Sequence, residues 1–277
     1  MSACPLLDYS RLCIHTATTK PWNLETACTE YARAGVRGIT VWRDALEACG
    51  PMRAASVIKS SDLEVVSLCR GGFFTHGSVL ERQRALDDNR RAIEEAHIIG
   101  APLIVLVCGA RPGQPLSTSR EQIADGIAAI LPDAVAAGVK LAVEPLHPMY
   151  SGDRSAINTL KQANDLALLF PPDSVGVAVD VYHVWWDDTL PDELARCGRN
   201  KRLFAFHVCD WKLDTNHILL DRGLPGEGCI PIRAIRAQVE QAGFTGFIEV
   251  EVFSQRLWAM DQGTSLTHIL HSYRNHV

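Results

Sequence analysis

No run in this sequence approaches the ~20 consecutive apolar residues that a membrane span requires. Its start, MSACPLLDYSRLCIH, lacks a charged segment followed by a long apolar one. Neither a membrane anchor nor a signal peptide is expected, and the expected location is the cytoplasm. Basic excess is missing too. The chain has 27 Lys and Arg against 32 Asp and Glu, a net charge of −5, with no Lys/Arg stripe. That excludes nucleic acid as an expected partner. Nine cysteines are present, but the number is odd and none are spaced as C-x-x-C. Several sit inside apolar runs such as EVVSLC and LIVLVC, so they read as reduced, buried thiols rather than as disulfides, zinc ligands or nucleophiles. Cys4 belongs to the same set. No Ser/Gly/Pro-rich linker divides the chain, so one domain over residues 1–277 is expected.

What is present is a large apolar fraction, 47%, with 21% charged residues in 277 positions. That length suits one (β/α)8 barrel, which takes ~250 residues. Eight short, nearly continuous apolar runs recur: RLCIH (11–15), GITVW (38–42), EVVSLC (64–69), LIVLVC (103–108), KLAVEP (140–145), VGVAVD (175–180), RLFAFHV (202–208) and GFIEVEVF (246–253). Continuous rather than alternating runs mark strands buried on both faces, hence a parallel sheet. Amphipathic stretches lie between them. Asn23 starts one and Gly35 stops it; others end at Gly100, Gly138 and Gly243, or before Pro171 and Pro172. Eight strand–helix units predict an α/β fold, a single closed TIM barrel. A doubly wound open sheet is the alternative, but TATTKPW follows the first strand where a Gly-rich phosphate fingerprint would stand.

In such a barrel the active site lies at the C-terminal strand ends. The fifth run ends in Glu144 and the sixth in Asp180; the seventh holds His207, and the eighth holds Glu249 and Glu251 two apart on one face. Each residue alone has an ordinary structural reading: a capping acid, an arginine partner, a core histidine. Four strands in succession ending this way would carry several kcal/mol of desolvation each, with no common partner. One divalent cation offsets them together. Carboxylates with one imidazole favour Mn²⁺, with Mg²⁺, Co²⁺ and Zn²⁺ as alternatives.

The segments LAVEPLHPMYSGDRSAINTL, VGVAVDVYHVWWD, FAFHVCDW, DRGLPGEGCI and IEVEVFS, in this order over nearly the whole chain, resemble the sugar-phosphate isomerase/epimerase family of xylose-isomerase-like barrels. The resemblance implies that Glu144, Asp180, His207 and Glu251 bind one divalent metal. Glu251 fits the family's final E-x-F through Phe253, whereas Glu249 does not and reads as an outer acid on the same face. It also implies substrate-binding roles for His183 and Arg222.

A metal touching a carbonyl and its neighbouring hydroxyl acidifies the carbon between them. Glu144 and Glu251, on strands facing each other across the mouth, then trade a proton through an enediolate. Asp210 is expected to orient His207 or touch substrate, and Arg70, after the third strand, to bind an anionic or polyol group. Trp186, with Trp42, Trp185 and Trp211, suits the C–H faces of a sugar. His15 and His147 are candidates for lining the pocket, with a structural role as the plainer reading. The expected function is isomerisation or epimerisation of a keto-sugar or polyol derivative, unphosphorylated because no Gly-rich cradle follows strands seven or eight. A metal-dependent lyase or dehydratase uses the same site. An endonuclease would need more metals and a basic face, and a non-catalytic binding barrel would not need the ligands. The expected partner is a small sugar-like molecule, and a homo-oligomer is compatible with the sequence.

Overall fold

All eight apolar runs form strands in the computed structural model, which describes residue 6 and residues 8–277. Cys4 lies outside the described residues. The strands are β1 (Leu12–His15), β2 (Gly38–Trp42), β3 (Glu64–Gly72), β4 (Leu103–Val107), β5 (Lys140–Val143), β6 (Val175–Asp180), β7 (Leu203–Val208) and β8 (Ile248–Val250). Each pairs in parallel with its neighbours, and β8 closes on β1 to give a barrel in sequence order. Among the described residues no helix is long and apolar enough to cross a membrane.

The runs look continuous because both strand faces are dry, yet the two faces differ in size and chemistry. Outward positions such as Leu12, Ile14, Ile104, Leu106, Leu141, Val143, Val177, Val179, Phe206 and Val250 pack under the helices in the main core. The inward positions between them are mostly small: Cys69, Val105, Ala142, Ala178 and Ala205 form a separate cluster. Side chains on a strand alternate faces, so the next inward position beyond Ala142, Ala178 and Ala205 is Glu144, Asp180 and His207. An alanine layer thus forms the floor, and the polar residues stand one step above it at the mouth.

Helix caps follow the local sequence. Asn23 Oδ1 accepts from Thr26 N at the start of Leu24–Arg33. Ser78 and Glu81 form a reciprocal capping box at the start of Val79–Ile99, which Gly100 ends in a left-handed conformation. Leu160–Ala167 starts later than the apolar pattern suggested, because Thr159 caps it. Helices Arg43–Cys49 and Pro51–Ser60 fill the β2–β3 connection, and Leu190–Arg199 fills that between β6 and β7.

Strand β3 runs three residues beyond the expected end at Cys69, so Arg70 lies within it rather than after it. Asn89 explains the extension. Its side chain accepts from Gly72 N at 2.7 Å and donates to Gly72 O at 2.8 Å, completing the strand from a helix. Gly72 has φ +109°, and a Cβ there would overlap the Val107 carbonyl, so glycine is required.

Candidate metal centre

Four side chains from the ends of β5 to β8 converge. Glu144, Asp180, His207 and Glu251 each place one ligand atom so that all four atoms lie within 4.8 Å of one another. All four are buried, none above 5% exposure. These are the four residues that the family resemblance nominated, where the strand-end pattern alone had left Glu249 and Glu251 together. Register explains the level at which they meet, since Asp180 pairs with His207 across β6–β7 and His207 with Glu249 across β7–β8.

His207 Nδ1 lies 3.1 Å from Glu144 Oε1, while its Nε2 points away toward Glu249 Oε1 at 3.6 Å. Glu249 sits one step down the strand, as expected. Its Oε2 accepts from Thr40 Oγ1 at 2.6 Å and lies 3.0 Å from His15 Nε2. His15 is enclosed between the two acids of β8, with Nδ1 3.0 Å from Glu251 Oε1 and its ring edge-on to His207 at 4.8 Å. It is 0% exposed and so lies beneath the mouth rather than on a pocket wall. A second group within ligand distance, His15, His207 and Glu251, shares two members with the first.

Arg222 enters from the β7–β8 loop. Its Nη1 donates to Asp180 Oδ2 at 3.0 Å and to Glu251 Oε2 at 3.1 Å, and Nη2 lies 3.3 Å from His183 Nε2. The guanidinium rests on the Tyr182 ring at 4.2 Å. His183 is buried beside it, with Nδ1 unpartnered. Burial and the Arg222 charge hold the imidazole well below its usual pKa, so it is neutral.

Four acids, Glu144, Asp180, Glu249 and Glu251, meet His15, His207 and Arg222 in this cluster. Asp180 is pushed up to about 7, first by burial and then by Glu251 and Glu144, despite Arg222. Burial also works against ionised Glu251, but His15, His207 and Arg222 outweigh it and hold that carboxyl below the usual range. Burial opposes a charged His207, yet Glu249 and Glu144 raise it to about 9. Burial is the larger cause, and the crowding of carboxylates around Asp180 is one that a bound cation would relieve. Three carboxylates and one imidazole fit a hard divalent cation. The Cys209 thiol, beside Arg222 Nη1, is raised well above its usual pKa by burial.

The other nominated residues divide. Trp186 donates Nε1–H to the His183 carbonyl at 2.8 Å and meets His147 edge-on at 5.5 Å, so it braces the His183 loop. His147 caps the short turn Pro148–Tyr150 by accepting from Met149 N. Asp210 does not orient His207. Its carboxylate accepts from the backbone N–H groups of Trp211, Ile230 and Gly226, pinning both ends of the long β7–β8 loop. Its partners lie up to 20 residues away, and only folding brings them together. Arg70 lies over the Phe73 ring at 4.2 Å and lines a cavity of about 670 Å³ with Trp42 and Phe253, beside the four ligands rather than over them. Tyr150, Tyr182, Thr40 and Ser67 were not nominated. The two tyrosine hydroxyls both donate to the Ile218 carbonyl, and Thr40 and Ser67 gather around Glu249. Inward parity on β2 and β3 was the only signal for Thr40 and Ser67.

Comparison with known proteins agrees with this architecture. The family model of the xylose isomerase-like TIM barrel matches residues 28–271. An inosose isomerase of Bacillus licheniformis is 24% identical over 192 residues, which span 65% of this chain and 64% of that protein. A crystal structure of a protein from Sinorhizobium meliloti 1021 superposes with a TM-score of 0.93 and 42% identity, covering 97% of this chain and 98% of the other. The crystal structure of the IOLI protein with a bound zinc atom superposes with a TM-score of 0.83 at 20% identity, over 95% and 96% of the two chains. At that identity the likeness is one of fold.

Proposed function

The chain belongs to the xylose isomerase-like TIM barrel family, and from that premise we propose that it is a divalent-metal-dependent isomerase or epimerase of a keto-sugar or polyol derivative, working by proton transfer. The observation that carries the reading is the convergence of four buried ligand-type side chains from four successive strand ends. The inosose isomerase relatives support the substrate class, and the zinc in the IOLI protein supports a divalent ion. Mn²⁺ is our first choice for a set so rich in carboxylate oxygen, with Mg²⁺, Co²⁺ and Zn²⁺ as alternatives.

Glu144, Asp180, His207 and Glu251 would hold the ion. Bound there, it would polarise a substrate carbonyl and the adjacent hydroxyl and acidify the carbon between them. Glu144 and Glu251 reach that carbon from opposite sides, one removing its proton and the other returning one, with an enediolate between. His15 Nδ1 stands 3.0 Å from Glu251 and Glu249 faces the far nitrogen of His207 at 3.6 Å, where outer partners of ligands commonly stand. Arg222 is a donor at the edge of the ligand set, and the neutral His183, whose Nε2 accepts from Arg222, offers its Nδ1–H as another, suited to a developing oxyanion. The two candidate ligand groups share His207 and Glu251, which suits the one-ion reading.

The test is the fate of a carbon-bound hydrogen. Reaction in D₂O should place deuterium in the product on the carbon next to the carbonyl, with the carbon skeleton and oxygen count retained. Deuterium with loss of water would make the enzyme a lyase. Product free of deuterium over a range of pD would mean a hydride shift, and Glu144 and Glu251 would then be ligands only.

A further inference from the structure

The segment that carries Arg222 into the ligand cluster has a firm base and a loose crown. At the base, Asp210 N donates to Gly223 O at 2.8 Å, Gly223 N returns a bond to Asp210 O at 2.9 Å, and Arg222 N donates to Phe253 O at 3.0 Å. The crown, from Lys212 to Asp221, is tied largely to itself. The Asp221 carboxylate accepts from Lys212 Nζ at 2.8 Å and from Asn216 N at 2.9 Å, and His217 Nδ1 accepts from Leu219 N and Leu220 N. Bonds of this short range shape a turn but do not hold it against the barrel. Leu213 is 86% exposed and Ile218 42%, so apolar burial holds the crown weakly.

Two tyrosines reach the crown from other strand ends. Tyr182, after β6, donates its hydroxyl to Ile218 O at 2.6 Å, and Tyr150, after β5, donates to the same oxygen at 3.2 Å. A carbonyl oxygen has two lone pairs and can take both donors. Tyr182 also links the crown to the metal centre. Its ring carries the Arg222 guanidinium at 4.2 Å and stacks on Trp211 at 4.8 Å, and its backbone N–H donates to Asp180 Oδ1 at 2.9 Å. Arg222 then bridges Asp180 and Glu251, ligand candidates from two different strands. A long arginine side chain keeps one buried geometry only where its surroundings fix it, because ordering it costs rotamer entropy.

We propose that Tyr150 and Tyr182 are positioning residues of the metal centre. Their shared grip on the Ile218 carbonyl holds segment 211–222 against the mouth, and through Arg222 it fixes Asp180 and Glu251 in place for the cation. The inference rests on the proposed metal-dependent reading and adds to it two side chains that are not ligands.

The test uses the full chain with Tyr150→Phe, Tyr182→Phe and the double variant. Phenylalanine keeps both rings, so the seat of Arg222 and the stacking on Trp211 stay and only the grip is removed. The first readout is hydrogen exchange. In the double variant, peptides covering 212–222 should exchange about tenfold or more faster, while those covering 226–230, held by Asp210, keep the parental rate. The second readout is release of Mn²⁺ from loaded protein to excess chelator. The double variant should release the ion about tenfold or more faster than the parental protein, and each single variant less so. Arg222→Met should speed release as well. Adding both phenylalanines to Arg222→Met should change its rate by no more than about twofold, because the grip acts through that arginine. Tyrosines that only stabilised the fold would lower the denaturation midpoint and either leave release unchanged or add their full effect to that of Arg222→Met. Unaltered exchange over 212–222, unaltered release in the double variant, or full additivity with Arg222→Met would each overturn the proposal. Protein that loads one equivalent of Mn²⁺ but shows any of these removes the proposal alone, whereas protein that binds no Mn²⁺ removes the metal-dependent reading and the proposal with it.

Discussion

The two halves of the barrel mouth are built from the same kind of strand and do opposite things. From β5 to β8, the last inward position of each strand, or the first beyond it, is an acid or an imidazole, and the side chains close into a buried cluster. From β2 to β4, the strands end in Trp42, Gly72 and Val107, and the mouth opens into a cavity of about 670 Å³ lined by arginines, acids and aromatic rings. His15 at the end of β1 is the seam, packed against both acids of β8 and hydrogen-bonded by Trp42 Nε1 at 3.2 Å. The lesson is a division of labour. One half gathers acids and imidazoles into a buried cluster, and the other opens into a cavity where cations and acids face each other.

The sharpest way to break the ligand half is through its acids. Glu144→Gln and Glu251→Gln should each leave the protein folded and lower turnover by roughly three orders of magnitude or more, because a proton carrier and a ligand are lost together. The double variant should fall little further, since the two act as a unit; steady-state kinetics on a panel of ketoses and inososes checks both points. Next in size, His207→Ala should weaken Mn²⁺ binding by roughly a hundredfold or more, measured by competition with a chelator. A variant that keeps its metal through chelator dialysis would remove His207 from the ligand set. Glu249→Gln sharpens the boundary between ligand and outer partner. It should cost roughly 10- to 100-fold in metal affinity, less than His207→Ala, because it only loosens the far side of the imidazole. The smallest effect belongs to the open half. Arg43→Met removes partly exposed ion pairs to Asp88 and Glu95 and should lower stability by about 1–2 kcal/mol in chemical denaturation, leaving metal affinity unchanged.

The convergence of Glu144, Asp180, His207 and Glu251 was legible in the sequence and much of the open half was not, for a physical reason. An acid at the end of a dry apolar run is conspicuous, since nothing local neutralises it. Glu144, Asp180, His207 and Glu251 each broke such a run. Arg70 and Gly72 broke theirs in a way that reads as a turn, and only Asn89, arriving from the next helix, makes them strand. Asp210 looked like a residue aimed at His207 because they are three apart, whereas its partners are backbone groups at 211, 226 and 230. The grip of Arg222 on Asp180 spans 42 positions, and its substrate-binding role came only through family resemblance. Strand order and barrel closure followed from the count and spacing of apolar runs. The connection between β2 and β3 did not, because its two short helices lack the long amphipathic repeat of the others.

The central claim is that one divalent cation belongs between Glu144, Asp180, His207 and Glu251. Its most direct test is elemental mass spectrometry of the protein loaded with Mn²⁺ and freed of excess by gel filtration. The account predicts one equivalent per chain in the parental protein and a small fraction of that in His207→Ala. Two or three equivalents, or none, in the parental protein would contradict it.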